Sequence, residues 1–238
     1  MKVKDTAIVL QVVKYADKKN IVRLFGLNTG IISAVANFSN SKFSKIKASC
    51  FAPLNILEID MEIKENRTVN VLSEVNHAYV YQNIYKDLNK LSIFQFISEF
   101  LNITMVNESK NQELFYFLLD NLKLLDQQES NFSSFHHKFL IQLIQYFGFS
   151  PANNFNTSNC YFDCVEGKFN SLEKIYPMGL NKEQSYAFKK LLESNSVNTL
   201  NKIERQLALE GLLAYYQMHI PGFREPKSLK IIKEVVNA

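Results

Sequence analysis

The hydrophobic period of this 238-residue chain changes once, near Tyr81, from two residues to 3.6, and that switch separates a strand-forming front third from a helical remainder. In front of it, Thr6 to Val13 is a short β-branched run, and Ile21 to Leu27 repeats that character after the polar break Ala16 to Asn20, the pattern of a hairpin. Asn28-Thr29-Gly30 is a turn signal, and Ile31 to Val35 makes a third strand. After the polar stretch Asn37 to Ser49, Pro53 opens a long alternation. Asn55, Leu57, Ile59, Met61 and Ile63 face one way, and Leu54, Ile56, Glu58, Asp60 and Glu62 the other. Thr68 to Val75 supplies a fifth strand. Five short strands in about 80 residues leave no room for crossover helices, so the expectation is a small antiparallel barrel, of which the OB-fold is the five-stranded form.

Behind the switch, Ile84, Leu88, Leu91, Phe94, Ile97 and Leu101 line one stripe, while Phe96, Phe100 and Ile103 add a second apolar face. Such a helix is expected to be buried on two sides. Leu114, Leu118, Leu122 and Leu125 mark a second helix, and Phe135, Phe139, Leu143 and Phe147 a third, ended by Gly148 and Pro151. Ala152 to Lys168 reads as an Asn-rich loop. Asn181 with Gln184 forms a capping box for a helix to about Leu192, and Asn198 or Thr199 starts the next. Pro226 stands at the first turn of a last helix, Lys227 to Val236. The expected class is therefore α+β in two domains: residues 1–80 an OB-fold barrel, and 81–238 a helical domain with a loop insertion at about 150–180.

Composition excludes several function classes. The chain is 47% hydrophobic and 13% aromatic, enough to bury a real core, so disorder is not expected. Three cysteines, Cys50, Cys160 and Cys164, are too few for a disulfide-stapled scaffold and fit a reducing cytoplasm. No apolar signal core opens the sequence, and no apolar run approaches the roughly 18 residues that span a bilayer, so no membrane association is expected. The seven glycines form no Gly-x-Gly or Gly-Lys-Ser/Thr loop, which argues against nucleotide-driven work, and no small-molecule substrate is expected.

Charge is distributed unevenly. Residues 1–80 hold eleven Lys and Arg against seven Asp and Glu, whereas residues 81–238 hold sixteen of each. The basic residues Lys14, Lys18, Lys19, Arg23, Lys42, Lys45 and Lys47 are interleaved with Tyr15, Phe38 and Phe43. A positive groove with stacking rings is the combination that single-stranded nucleic acid uses. The plainer alternative is a solvated lysine-rich loop with its aromatics turned into the core. One enzymatic pattern is present: Glu58, Asp60, Glu62 and Lys64 on one strand match the carboxylates and lysine of a metal-dependent nuclease, although alternating acids are also what a solvated strand face carries. An OB-type RNA-binding module is a further possibility. Cys160 and Cys164 are half of a four-ligand zinc site without its other half, so no metal and no cofactor is expected. Phe155, Tyr161, Phe162 and Phe169 are expected to hold that loop by packing instead.

The order of these pieces resembles the RecO family over nearly the whole chain. Ala7-Ile-Val-Leu10, Ile21-Val-Arg-Leu-Phe25 and Thr29 to Ala36 are similar to its first barrel strands, and Ser41 to Lys47 with Phe51 to Glu58 to its basic loop and following strand. Leu143 to Pro151, Tyr215-Tyr-Gln-Met-His219 and Lys227-Ser-Leu229 resemble its later helical signatures. The sequence departs from the family pattern in the weaker basic loop, Asn37-Phe-Ser-Asn40, and in keeping two cysteines where many relatives have four. The resemblance implies a non-enzymatic mediator of DNA repair and recombination. It implies binding of single- and double-stranded DNA, annealing of complementary strands, and partnership with a RecR-type protein and the single-stranded DNA-binding protein in a bacterial, nucleoid-associated cytoplasmic setting. It also implies that the helical domain holds that binding protein's acidic C-terminal tail. The cations Arg224, Lys227, Lys230 and Lys233 are the sequence's clearest candidates for this, with Lys189 and Lys190 a rival cluster and a solvated helix face the bland alternative.

Overall fold

The structure, a computed structural model, describes residues 2–15, 19–38, 45–62, 70–106, 108–193 and 200–235. Its first five strands are β1 (Lys2–Lys14), β2 (Lys19–Gly26), β3 (Gly30–Asn37), β4 (Ile56–Glu62) and β5 (Asn70–Tyr79). They close into a barrel in the order β1-β2-β3-β5-β4, with β4 returning to β1 and β3 pairing parallel with β5. This is the five-stranded OB arrangement anticipated by the period-two alternation. Ala7, Val9, Val22, Leu24, Ala34, Ala36, Leu57, Ile59, Met61, Leu72 and Val75 point inward and form the barrel core. Ile46, Cys50 and Phe51, from the segment between β3 and β4, join them. Small alanines on β1 and β3 fit the tight interior of so small a barrel.

Helices α1 (Leu88–Thr104), α2 (Gln112–Gln127), α3 (Phe135–Leu143), α4 (Lys182–Leu192), α5 (Lys202–His219) and α6 (Leu229–Val235) follow, with a small hairpin of β6 (Tyr161–Asp163) and β7 (Lys168–Asn170) between α3 and α4. The chain packs as two compact units. One comprises Met1–Asn83 with Phe100–Asp126, the other Ile84–Glu99 with Gln127–Ala238.

Within the first unit, the outer face of the β2–β3 turn is not bare. Phe25 meets Phe115 of α2 at 5.9 Å between ring centroids, and Ile31 N–H donates to the Glu108 carbonyl at 2.9 Å. Gly30, at φ +68°, lies so close to this segment that a Cβ would fall 2.7 Å from the Lys110 nitrogen, which restricts the position to glycine on two counts. The buried Asp5 carboxylate gathers the same turn by accepting from the N–H groups of Thr6, Asn28 and Thr29 and from the Thr29 hydroxyl.

In the second unit the core is aromatic. Phe162 packs on Phe169, Phe188 and Tyr215 with centroid separations of 5.0, 4.2 and 5.3 Å. Helix α4 begins with the expected box, Asn181 and Gln184 each bonding the other's backbone N–H. The cap of α5 is Asn201, paired with Glu204; residues 198 and 199 lie outside the described residues. Helix α6 starts at Leu229, and Pro226 precedes its first turn, offering its carbonyl to Leu229 N–H at 3.1 Å.

Candidate nucleic-acid interface

Two exposed lysines of the barrel, Lys14 and Lys19, stand at the adjoining ends of β1 and β2. The register Lys14↔Asn20 places Tyr15 opposite Lys19, and Tyr15 N–H donates to the Lys19 carbonyl at 3.0 Å. Lys19 in turn pairs with Asn37 of β3. Lys14, Lys19 and Lys47 are exposed, and among the described residues none makes an ion pair. Tyr15 is 69% exposed and Val13, two residues back on the same strand face, 49%. Lys18, Lys42 and Phe43 lie outside the described residues.

Three other candidates of the basic stretch are engaged elsewhere in the fold. The Arg23 guanidinium donates to Asn102 Oδ1 at 3.0 Å, to the Val106 carbonyl at 2.8 Å and to the Met105 carbonyl, so it caps the C-terminal end of α1. Burial pulls its pKa below the ordinary arginine value, and three acceptors leave it little to offer a phosphate. Phe38 stacks on Phe51 at 5.1 Å and 25° and packs against the barrel core, so one face of its ring is already covered. Lys45 is bonded to Glu74 at 2.7 Å, which raises the lysine pKa and lowers the glutamate's; the pair is solvent-exposed and screened.

Glu58, Asp60 and Glu62 alternate with the buried Leu57, Ile59 and Met61 and face outward from β4. They are cross-strand neighbours of Thr6, Lys4 and Lys2 on β1, and Asp60 is tied to Lys4 at 3.4 Å. An open cleft lined by Lys4, Asp5, Glu58, Asp60 and Glu74 lies on this wall. Its carboxylates repel a phosphate backbone rather than cradle it. Lys64 lies outside the described residues, and among the described residues no three His, Cys, Asp or Glu side chains converge on a point where a metal ion could sit.

In the second unit, Cys164 is buried, and burial together with neighbouring Asp163 pushes its thiol up to about 12. Asp163 ties the β6–β7 hairpin together. Its carboxylate accepts from Val165 and Glu166 N–H, from Asn170 Nδ2 at 3.0 Å and from Lys174 Nζ at 2.5 Å. Burial opposes the charge, but these donors hold its pKa below the usual aspartate value. The rings of Phe155, Phe162 and Phe169 pack together here; Tyr161 is half-buried beside them in sequence.

Around α6, Arg224, Lys227 and Lys230 are exposed, while Lys233 approaches Glu210 at 3.6 Å. The entry to this helix is fixed by Glu99, whose carboxylate accepts the backbone N–H groups of Lys227 and Ser228 at 2.9 and 2.8 Å and the Ser228 hydroxyl at 2.7 Å. Burial opposes the Glu99 charge, yet these bonds keep its pKa below the usual glutamate value. The rival pair is already spent: Lys189 on Glu193 at 2.7 Å and Lys190 on Glu204 at 2.6 Å. A separate cleft of about 320 Å³ is lined by Lys138, Ile141, Gln142, Gln145, Pro151 and Leu191, among others.

No helix among the described residues is long and apolar enough to cross a membrane. A family model described as Recombination protein O N terminal matches residues 1–81, and one described as Recombination protein O C terminal matches residues 85–230. The chain is 37% identical over 240 residues to the DNA repair protein RecO of Flavobacterium psychrophilum and 35% identical to that of Flavobacterium johnsoniae, in each case across 99% of both chains. The RecO of Phocaeicola vulgatus is 28% identical over 98% of both. A closed OB barrel followed by a helical region, two family models in that order, and relatives aligned end to end agree: the chain belongs to the RecO family of DNA repair and recombination proteins.

Proposed function

We propose that this protein is a non-enzymatic mediator of recombinational repair that binds single- and double-stranded DNA at the β1–β2 end of its barrel and anneals complementary strands. The observation that supports the binding site is Lys14 and Lys19 beside Tyr15, with Lys47 exposed in the segment before β4, none of the three in an ion pair among the described residues, in the part of the chain that carries the excess of positive charge. Neutralising phosphates with such lysines releases counterions, so binding is sequence-independent and weakens steeply with salt. Lys18, Lys42 and Phe43 remain candidates outside the described residues, and Lys45 is a further one when a phosphate displaces Glu74; Arg23 and Phe38 serve the barrel fold. Replacing Lys14, Lys19 and Lys47 together by Glu should weaken binding to every DNA sequence and flatten the log–log salt slope by about three, one per lost phosphate contact. Anisotropy titrations at several salt concentrations measure both quantities. Unchanged affinity and slope would put the DNA elsewhere.

In the same reading the protein works in the bacterial cytoplasm at the nucleoid, with a RecR-type protein and the single-stranded DNA-binding protein, to load recombinase onto coated strands. The acidic tail of the binding protein, ending in an aromatic residue and a free carboxylate, needs exposed cations beside an apolar slot. Arg224, Lys227 and Lys230 are exposed and meet the first requirement; Lys233 is partly drawn to Glu210. Because Phe100–Asp126 packs in one unit with the barrel, a fragment cut at Tyr81 would divide a compact body, and the full chain is the right material. A tail peptide should bind it with affinity lowered by salt and by Lys227→Glu/Lys230→Glu; insensitivity to both would remove α6 from consideration.

A further inference from the structure

We infer that Tyr15 is the residue by which the proposed DNA surface distinguishes an unpaired strand from a duplex. The inference rests on the DNA-binding reading above and adds a specificity that charge alone does not supply.

The register Lys14↔Asn20 and Lys19↔Asn37 makes Tyr15, Lys19 and Asn37 one rung across three strands. Directly opposed residues on one face have Cβ atoms about 5 Å apart, so the Tyr15 and Lys19 side chains leave the sheet side by side. The next rung on the same face, Val13, Ile21 and Val35, is apolar and only partly covered. Tyr15 at 69% exposure thus projects from an apolar step, backed by a backbone hydrogen bond to Lys19, and its ring makes no stacking contact with another ring among the described residues. Of the aromatics interleaved with the basic stretch, Phe38 is turned onto Phe51, which leaves Tyr15 as the described ring that faces solvent.

A ring in this position can stack on a base only if the base has a free face. Bases in a duplex are covered by their neighbours, whereas an unpaired base offers its face at little cost, and a stacked base is worth about 1–3 kcal/mol by alanine substitution. Lys14, Lys19 and Lys47 see phosphates in either form and so supply affinity without discrimination. The rung therefore divides the work: Lys19 holds a phosphate and Tyr15 takes the base beside it.

The test uses the full chain, a fluorescein-labelled oligothymidylate and a blunt duplex of equal length, titrated at several salt concentrations. Tyr15→Ala should weaken binding to the single strand by roughly 5- to 150-fold, the range expected for one lost stack, and leave the duplex affinity and both salt slopes unchanged. Tyr15→Phe should behave as the parent. Lys19→Ala should weaken both ligands and flatten both slopes by about one. Equal losses of Tyr15→Ala on both probes, or no loss on either, would overturn the inference while leaving the DNA-binding reading intact. A parent protein that bound neither probe would overturn both. The exposure of Tyr15 keeps the fold out of the comparison, and unchanged thermal melting of Tyr15→Ala checks that point.

Discussion

Replacing Asp126 by Ala should lower the stability of the barrel-bearing unit by about 1–3 kcal/mol, because one buried carboxylate gathers several donors at the end of the barrel. Asp126 is fully buried at the end of α2. It accepts from the Tyr79 hydroxyl at 2.9 Å, from Gln82 N–H at 3.0 Å and from Asn83 N–H at 2.8 Å, and its own carbonyl takes Asn83 Nδ2 at 3.1 Å. All of these donors belong to the unit that contains the barrel, where β5 ends and the chain leaves it. Truncation removes the acceptor shared by two backbone N–H groups and a phenol; Gln82 and Asn83 are exposed and Tyr79 is half-buried, so water meets part of the loss and the cost stays well below that of fully buried donors. Asp126→Asn keeps one acceptor but turns an N–H donor towards the others, and should fall between the parent and Asp126→Ala. Guanidinium denaturation of the three proteins measures the series; a loss under about 1 kcal/mol for Ala would show that water replaces the carboxylate without penalty.

The second large effect is a loss of stability in mild acid. His136 and His137 on α3 are completely buried, with ring centroids 4.1 Å apart. His137 Nε2 lies 2.8 Å from the Arg205 carbonyl, while both nitrogens of His136 make no hydrogen bond within the described structure. Burial lowers the pKa of both from the usual 6.5, assisted by the Arg205 charge and, for His136, by His137; His137 falls to about 4 and His136 well below its ordinary value. A depressed imidazole pKa means that the unfolded chain binds the protons first. The stabilisation is therefore full above 6.5 and drains away as pH falls from there towards the folded values. For two such groups the loss between about pH 7.5 and about pH 5.5 amounts to roughly 2–3 kcal/mol, in a window above the usual range of carboxylate titration. His136→Leu should remove about half of this pH dependence. Denaturation midpoints that stay constant across the window would mean that the pair is solvated, contrary to its burial.

Much of this architecture was legible because the relevant signals are local. Alternation along Leu57 to Met61 fixed which side of β4 enters the barrel, and the Asn181–Gln184 box marked the start of α4 to the residue. The β6–β7 hairpin was not legible: strands of three residues are too short to show a period, and the hairpin is held by side chains such as Asn154, which bonds both the N–H and the carbonyl of Phe169. An Asn-rich stretch therefore reads as loop although its amides stitch structure together. The cap of α5 was misplaced for a related reason, since several Asn and Ser residues precede it and only Asn201 has a Glu three residues on that closes the box.

Charge counting pointed to the front third of the chain but could not tell spent cations from free ones. Arg23 is consumed by acceptors about eighty residues away, and Lys45 by Glu74, twenty-nine residues away; neither partner is implied by local sequence. One clue to Arg23 was available: it shares its strand face with Phe25, and a large apolar residue on the outside of a barrel signals that something covers that side.

The central claim, a mediator that joins strands and does not cut them, is tested most directly by incubating labelled complementary strands, coated with single-stranded DNA-binding protein, with the purified chain and Mg²⁺. The account predicts faster duplex formation with every strand at its original length, and a slower reaction for the Lys14→Glu/Lys19→Glu/Lys47→Glu variant. Strands shortened in a Mg²⁺-dependent way, with cleavage abolished by Asp60→Asn or Glu58→Gln, would contradict it and install the outer face of β4 as a nuclease site.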